Sequence, residues 1–131
     1  MSAAQLPRGT ETILLAEDDG HLLRAARRIL EKQGYRLLMA TDGVHALETF
    51  RAHETEVALV VTDMVMPPMG GRQLFGALRA EGKTVPVLFT SGYSAGVMGE
   101  VIDAYGAVPF PGKPWTVEEL LLKVRQVLDA G

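Results

Sequence analysis

The chain has 131 residues, no cysteine, 47% hydrophobic and 22% charged residues, and a formal net charge of −3. That length suits one domain able to bury a core without disulfide or metal staples, and the missing cysteine removes disulfide frameworks, thiol nucleophiles and every cysteine-held metal. The slight acid surplus argues against a strongly basic nucleic-acid binder, no apolar run approaches the roughly 20 residues that span a bilayer, and Met1–Arg8 carries no signal-peptide core, so a cytoplasmic protein is expected.

Residues 1 to about 10 are small and polar, with Pro7 and Gly9, and read as a flexible lead-in; one domain is expected over residues 11–131. Ile13–Ala16 is a short apolar run that ends in Glu17-Asp18-Asp19. Leu22, Leu23, Ala26, Ile29 and Leu30 then recur at helical spacing, and Gly34 stops the helix. Tyr35–Ala40 reads as a second strand. Asp42 is a candidate N-cap for a helix with Val44, Leu47 and Phe50 on one face.

Val57–Val61 is a third apolar run, followed by Thr62-Asp63 and a loop, Met64 to Gly71, whose Pro67-Pro68 pair forbids helix. Arg72–Ala80 predicts a helix with Leu74, Phe75 and Leu78 inward. Val85–Phe89 is a fourth strand ending in Thr90-Ser91-Gly92, and Ser94–Tyr105 a weaker helix. Ala107–Phe110 is a fifth strand, before Pro111-Gly112-Lys113-Pro114. Thr116-Val117-Glu118-Glu119 is a capping-box pattern opening a last helix with Leu120, Leu121, Val124, Val127 and Leu128 in its apolar stripe. Five alternating β and α units with short connections imply an α/β domain with a doubly wound parallel sheet, and near-continuous apolar strands fit a sheet covered on both faces.

Ligands of such a sheet bind at the carboxyl ends of its strands. Those ends carry Glu17 and Asp18, Asp63, Thr90 and Lys113. Converging carboxylates repel each other unless they share a proton or hold a cation, and an all-oxygen donor set without His or Cys favours Mg2+. A lysine and a hydroxyl beside such a cation describe a phosphoryl-transfer site, with Asp63 as the natural nucleophile. Glu17-Asp18-Asp19 could instead be an acidic helix N-terminus; Asp19 is assigned only a capping role. His21, His45 and His53 read as solvated surface residues, Met64, Met66 and Met69 as loop packing, and Trp115 as either core or contact.

Leu15-Ala16-Glu17-Asp18-Asp19, Thr62-Asp63-Met64-Val65-Met66-Pro67, Thr90-Ser91-Gly92 and Lys113-Pro114 together resemble the receiver domain of two-component response regulators. Each piece alone is weak; four in order, each after its own strand, are specific, and they cover the chain from about residue 11 to its end. The resemblance implies a flavodoxin-like (βα)5 fold with strand order 2-1-3-4-5. It implies that Asp63 is a phosphoacceptor taking its phosphoryl group from a phosphohistidine on a histidine kinase or a histidine phosphotransfer protein. Asp18 would ligate Mg2+ directly, Glu17 through water, and Asp63 and the Val65 backbone carbonyl would complete the protein's donors. Lys113 and the backbone N–H groups of Met64 and Ser91 would contact the phosphoryl oxygens. Thr90 would move toward the phosphate, and Phe110 would be the aromatic switch, shifting a face formed with the helix from Ser94 and the last helix. Leu22, Leu23 and Ala26 would dock the donor, and Lys113-Pro114 would be cis.

Such a domain catalyses only its own phosphorylation and dephosphorylation and is not otherwise an enzyme. Its output would pass to a downstream protein or to other domains of a parent chain, with a homodimer left open and no nucleic-acid or membrane insertion expected. Arg8–Thr12 and Phe89–Tyr93 look like receivers at the C-terminus of hybrid sensor histidine kinases, so a stand-alone regulator and one domain of a larger, membrane-bound kinase are both expected settings. Some positions depart from the pattern. Phe110 lacks a tyrosine hydroxyl, Gly70 stands where an acid is common, and Val65 and Gly92 offer no polar side chain to steer a hydrolytic water, which predicts slow to moderate self-dephosphorylation.

Competing motifs fail. Gly106 to Lys113 is one residue too long for a P-loop and Pro114 replaces its Ser or Thr. An acidic first loop would repel a flavin phosphate, and Val65 stands where a haloacid-dehalogenase-like phosphatase needs a second Asp. The alternative function is an interaction module of receiver shape with no phosphorylation cycle.

Overall fold

The computed structural model describes residues 6–63, 66–90, 108–109 and 117–130. Five parallel strands, β1 (Thr12–Ala16), β2 (Arg36–Ala40), β3 (Val57–Thr62), β4 (Val87–Phe89) and β5 (Val108–Pro109), form one sheet in the order β2-β1-β3-β4-β5. The described helices are α1 (Gly20–Lys32), α2 (Gly43–Ala52), α3 (Gly71–Ala80) and α4 (Val117–Ala130). The doubly wound parallel sheet is the one the alternating elements predict, and its order 2-1-3-4-5 is the one the resemblance to receiver domains implies. The helix expected over Ser94–Tyr105 lies outside the described residues.

Alternation along each strand sends neighbouring side chains to opposite faces. Leu14, Ala16 and Val60 meet Phe50 of α2 and Leu74, Phe75 and Leu78 of α3 on one side. Ile13, Leu15, Leu59 and Val61 meet Leu23, Ala26 and Leu30 of α1 and Leu120, Leu121 and Val124 of α4 on the other. Both faces are therefore dry, which is why the strand sequences show no polar alternation. Phe75 and Phe89 pack edge to face with centroids 5.9 Å apart.

The helix starts follow the expected caps. The Asp19 side chain accepts from the N–H groups of His21 and Leu22, and Asp42 from that of His45. Two details differ. Val44 is exposed, because it lies about 100° round the helix from Gly43, whose face, with Ala46 and Phe50, is the buried one. β4 begins at Val87 and not at Val85, since Pro86 has no N–H to give the ladder; its carbonyl still accepts from the Val60 N–H at 3.0 Å.

Residues 6–10 of the expected lead-in lie against the domain. Leu6 is buried with Leu30 and Tyr35, and the Gln33 side-chain amide donates to the carbonyls of Leu6 (3.2 Å) and Pro7 (2.9 Å). The Gly9 N–H donates to the Gln33 carbonyl at 3.0 Å, and Gly34 takes φ 102° there, where a Cβ would overlap the Gly9 carbonyl.

Arg125 of α4 ties this segment in. It donates to both carboxylate oxygens of Glu11, to the Arg8 carbonyl and to the Asp129 carboxylate. Those hydrogen bonds from Arg125 hold the Glu11 carboxyl down from 4.5 to about 2, against the opposing effect of burial. A depressed carboxyl stabilises the fold above its ordinary value and loses that contribution as pH falls toward the folded value. Glu11→Gln is therefore expected to lower stability by about 1 kcal/mol at pH 7, the upper range for a partly exposed pair. The gap between the two proteins should shrink in thermal melts at pH 3, and an equal gap at both pH values would refute the assignment. Among the described residues, no helix is long and apolar enough to cross a membrane.

Candidate functional site

The carboxyl ends of β1 and β3 carry the acids. Because the strands are parallel neighbours, with Ala16 in register with Thr62, the residues that follow each of them emerge side by side. The Asp63 N–H donates to the Ala16 carbonyl at 3.2 Å, and the Glu17 N–H to the Ala40 carbonyl at 3.1 Å. Both residues thus extend the ladder by one step beyond their strands. Glu17 and Asp63 are buried, at 6% and 7% exposure, and Asp18 is exposed.

One carboxylate oxygen from each of Glu17, Asp18 and Asp63 lies within 4.8 Å of the other two. Glu17 also accepts from the Asp19 N–H at 3.1 Å, which folds the loop back so that Asp18 turns toward Asp63 while Asp19 caps α1. Three carboxylates gathered in this way, two of them buried, could hold a cation. The donors are all hard oxygens, with an exposed side through Asp18 where water can complete the coordination, and that set fits Mg2+.

Thr90 follows β4, is buried at 6% exposure, and donates its N–H to the Thr62 carbonyl at 2.9 Å. It therefore stands one strand over from Asp63 on the same rim. Met64, Val65, Ser91, Phe110 and Lys113, each expected at the site, lie outside the described residues, as does Lys113-Pro114. Met66 is buried and packs in the α2–α3 core, as loop packing requires, and His21, His45 and His53 are exposed or half-exposed, none of them part of the acidic group.

Sequence reasoning passed over what holds Asp63 in place. Its backbone carbonyl accepts from the Gly71 N–H at 3.0 Å and from the Thr62 hydroxyl at 2.9 Å. Gly70 caps α3, its N–H donating to the Gln73 side chain at 2.9 Å. The adjacent glycines Gly70-Gly71 were the available signal, since a glycine before a helix with no turn to make points to a close backbone approach.

Residues 13–125 match the response regulator receiver domain family. The sensor kinase CckA of Brucella abortus (strain 2308) is 33% identical over 121 residues, which is 92% of this chain and 13% of that protein. The response regulator MprA of Mycobacterium leprae (strain TN) is 37% identical over 117 residues, 88% of this chain and 50% of that one. The chain thus spans half or less of these relatives' length. The receiver domain of the Francisella response regulator 1452 superposes with a TM-score of 0.83 at 24% identity, over 92% of this chain and 98% of that one, a likeness of fold. The chain belongs to the response regulator receiver domain family and is a signalling domain of two-component systems.

Proposed function

We propose that this domain accepts a phosphoryl group on Asp63 in a Mg2+-dependent reaction and so switches a protein-interaction face in the cytoplasm. The observation that carries this reading is the buried Asp63 carboxylate at the end of the central strand, within 4.8 Å of Glu17 and Asp18. In the reaction an Asp63 oxygen bonds to phosphorus as the P–N bond of the donor phosphohistidine breaks. The electron pair leaves on the imidazole nitrogen, which takes up a proton. Glu17, Asp18 and Asp63, with the Val65 carbonyl, would hold Mg2+, which supplies positive charge to the phosphoryl oxygens when bound.

This chain's own groups do the rest. Lys113 and the N–H groups of Met64 and Ser91 pair with the phosphoryl oxygens, and the Thr90 hydroxyl donates to one of them. Drawing Thr90 inward, with Phe110 as the aromatic switch, shifts the population of the interaction face. The donor is a histidine kinase or a histidine phosphotransfer protein, and the recipient of the signal is a downstream protein or another domain of the parent chain.

The test incubates the chain with a small-molecule phosphodonor and Mg2+ and reads intact mass. Wild type is expected to gain one phosphoryl group and Asp63→Asn none. Equal uptake by Asp63→Asn overturns the proposal, and no uptake by wild type favours the interaction module without a phosphorylation cycle.

A further inference from the structure

We infer that Thr62 is a positioning residue: its hydroxyl and the Gly71 amide clamp the Asp63 carbonyl and thereby aim the Asp63 carboxylate into the acidic cluster. The inference rests on the reading of Asp63 as the phosphoacceptor.

Thr62 ends β3 and is fully buried. Valine would serve the strand and its packing equally well, since both side chains are β-branched. The hydroxyl is therefore not there for the fold of the strand. Nor is it needed to satisfy the carbonyl it meets, because Gly71 already donates to that oxygen at 3.0 Å. What a second donor at 2.9 Å adds is direction. A carbonyl oxygen has two lone pairs near the peptide plane, and filling both resists tilting of that plane.

The fit is close on every side. A Cβ on Gly71 would overlap the Asp63 carbonyl oxygen and reach 2.8 Å from the Thr62 methyl and 2.9 Å from its hydroxyl. Thr62, the Asp63 carbonyl and the Gly71 backbone thus pack with no room between them. At the other end of the residue, the Asp63 N–H is committed to the Ala16 carbonyl. With N–H and C=O both anchored, φ and ψ of Asp63 have little freedom and its Cβ has one direction, toward Glu17 and Asp18. Three like charges within 4.8 Å push outward; the clamp opposes the swing by which a loosely held strand end would relieve that push.

The experiment compares wild type, Thr62→Val and Thr62→Ser in the full chain. Mg2+ affinity of the unphosphorylated protein is followed by amide shifts of Glu17 and Asp18, phosphate uptake from a small phosphodonor by intact mass, and stability by thermal melting. Thr62→Val is expected to weaken Mg2+ binding roughly tenfold and to slow uptake by a similar factor, as loss of a group supporting a ligand does. Thr62→Ser should stay within about twofold of wild type, because it keeps the hydroxyl. Wild-type values in Thr62→Val, or an equal loss in Thr62→Ser, overturn the clamp. A wild type that binds Mg2+ but takes up no phosphate overturns the phosphoacceptor reading alone, and the Mg2+ comparison then decides the clamp. A wild type with no saturable Mg2+ binding overturns both.

Discussion

Replacing Gly71 by alanine is expected to destabilise the domain by about 3 kcal/mol, the upper range for forcing a methyl into a filled space. The added Cβ would overlap a backbone oxygen, that of Asp63, with the Thr62 side chain blocking the remaining way out. A side chain could rotate aside; a carbonyl at the end of the central strand cannot. Relief requires α3 to move off the sheet, which also stretches the buried hydrogen bond between Gly71 and Asp63. In a domain of this size the loss should appear as a fall in Tm of roughly 10 °C. Gly76 in the same helix has open space where its Cβ would be. Gly76→Ala should therefore be neutral or stabilise by about 0.5–1 kcal/mol, the ordinary gain from removing a helical glycine. Similar Tm values for the two variants would show that the crowding at Gly71 is tolerated.

The second large effect is expected from Asp18→Asn. Asp18 is the exposed member of the acidic group, so its replacement leaves the core untouched. It removes one of three mutually repelling charges, which should raise the Tm of the metal-free protein slightly. It also removes a hard anionic donor, which should weaken Mg2+ binding at least roughly tenfold. The signs are opposite, and that is the diagnostic. Binding stabilises only the state that binds, so adding Mg2+ should raise the Tm of wild type and leave that of Asp18→Asn nearly unchanged. If both proteins respond equally to Mg2+, the three carboxylates are not where the ion sits.

Much of the architecture was legible because it is written in local periodicity. Apolar runs at Ile13–Ala16 and Val57–Val61, each ending in acids, located two strands and the rim where their acids would meet. Asp19 and Asp42 announced helix starts by chemistry that needs only the next three residues. The misplaced Val44 and the late start of β4 have the same origin: a periodic pattern gives the face of a helix only to within one residue's rotation, and apolar character does not reveal a missing N–H.

The supports of the site were harder to read. That Thr62 would turn its hydroxyl to its neighbour's carbonyl, and that Gly71 would come close enough to share that oxygen, depends on how α3 seats against β3, which no spacing encodes. The link between Arg125 and Glu11 joins the two ends of the sequence and has no local signature at all.

Docking of residues 6–10 has a practical meaning for anyone moving this domain between proteins. The natural place to splice would be the first strand residue, Thr12. A junction there would strip Leu6 from the surface of Leu30 and Tyr35, leave the buried Gln33 amide without its two carbonyl acceptors, and take both Glu11 and the Arg8 carbonyl from Arg125. The graft would then report the damage at its own seam. A splice upstream of Leu6 carries the fastening along, and a linker added there would leave the domain from the end of the sheet opposite the carboxylates, clear of any protein that comes to them.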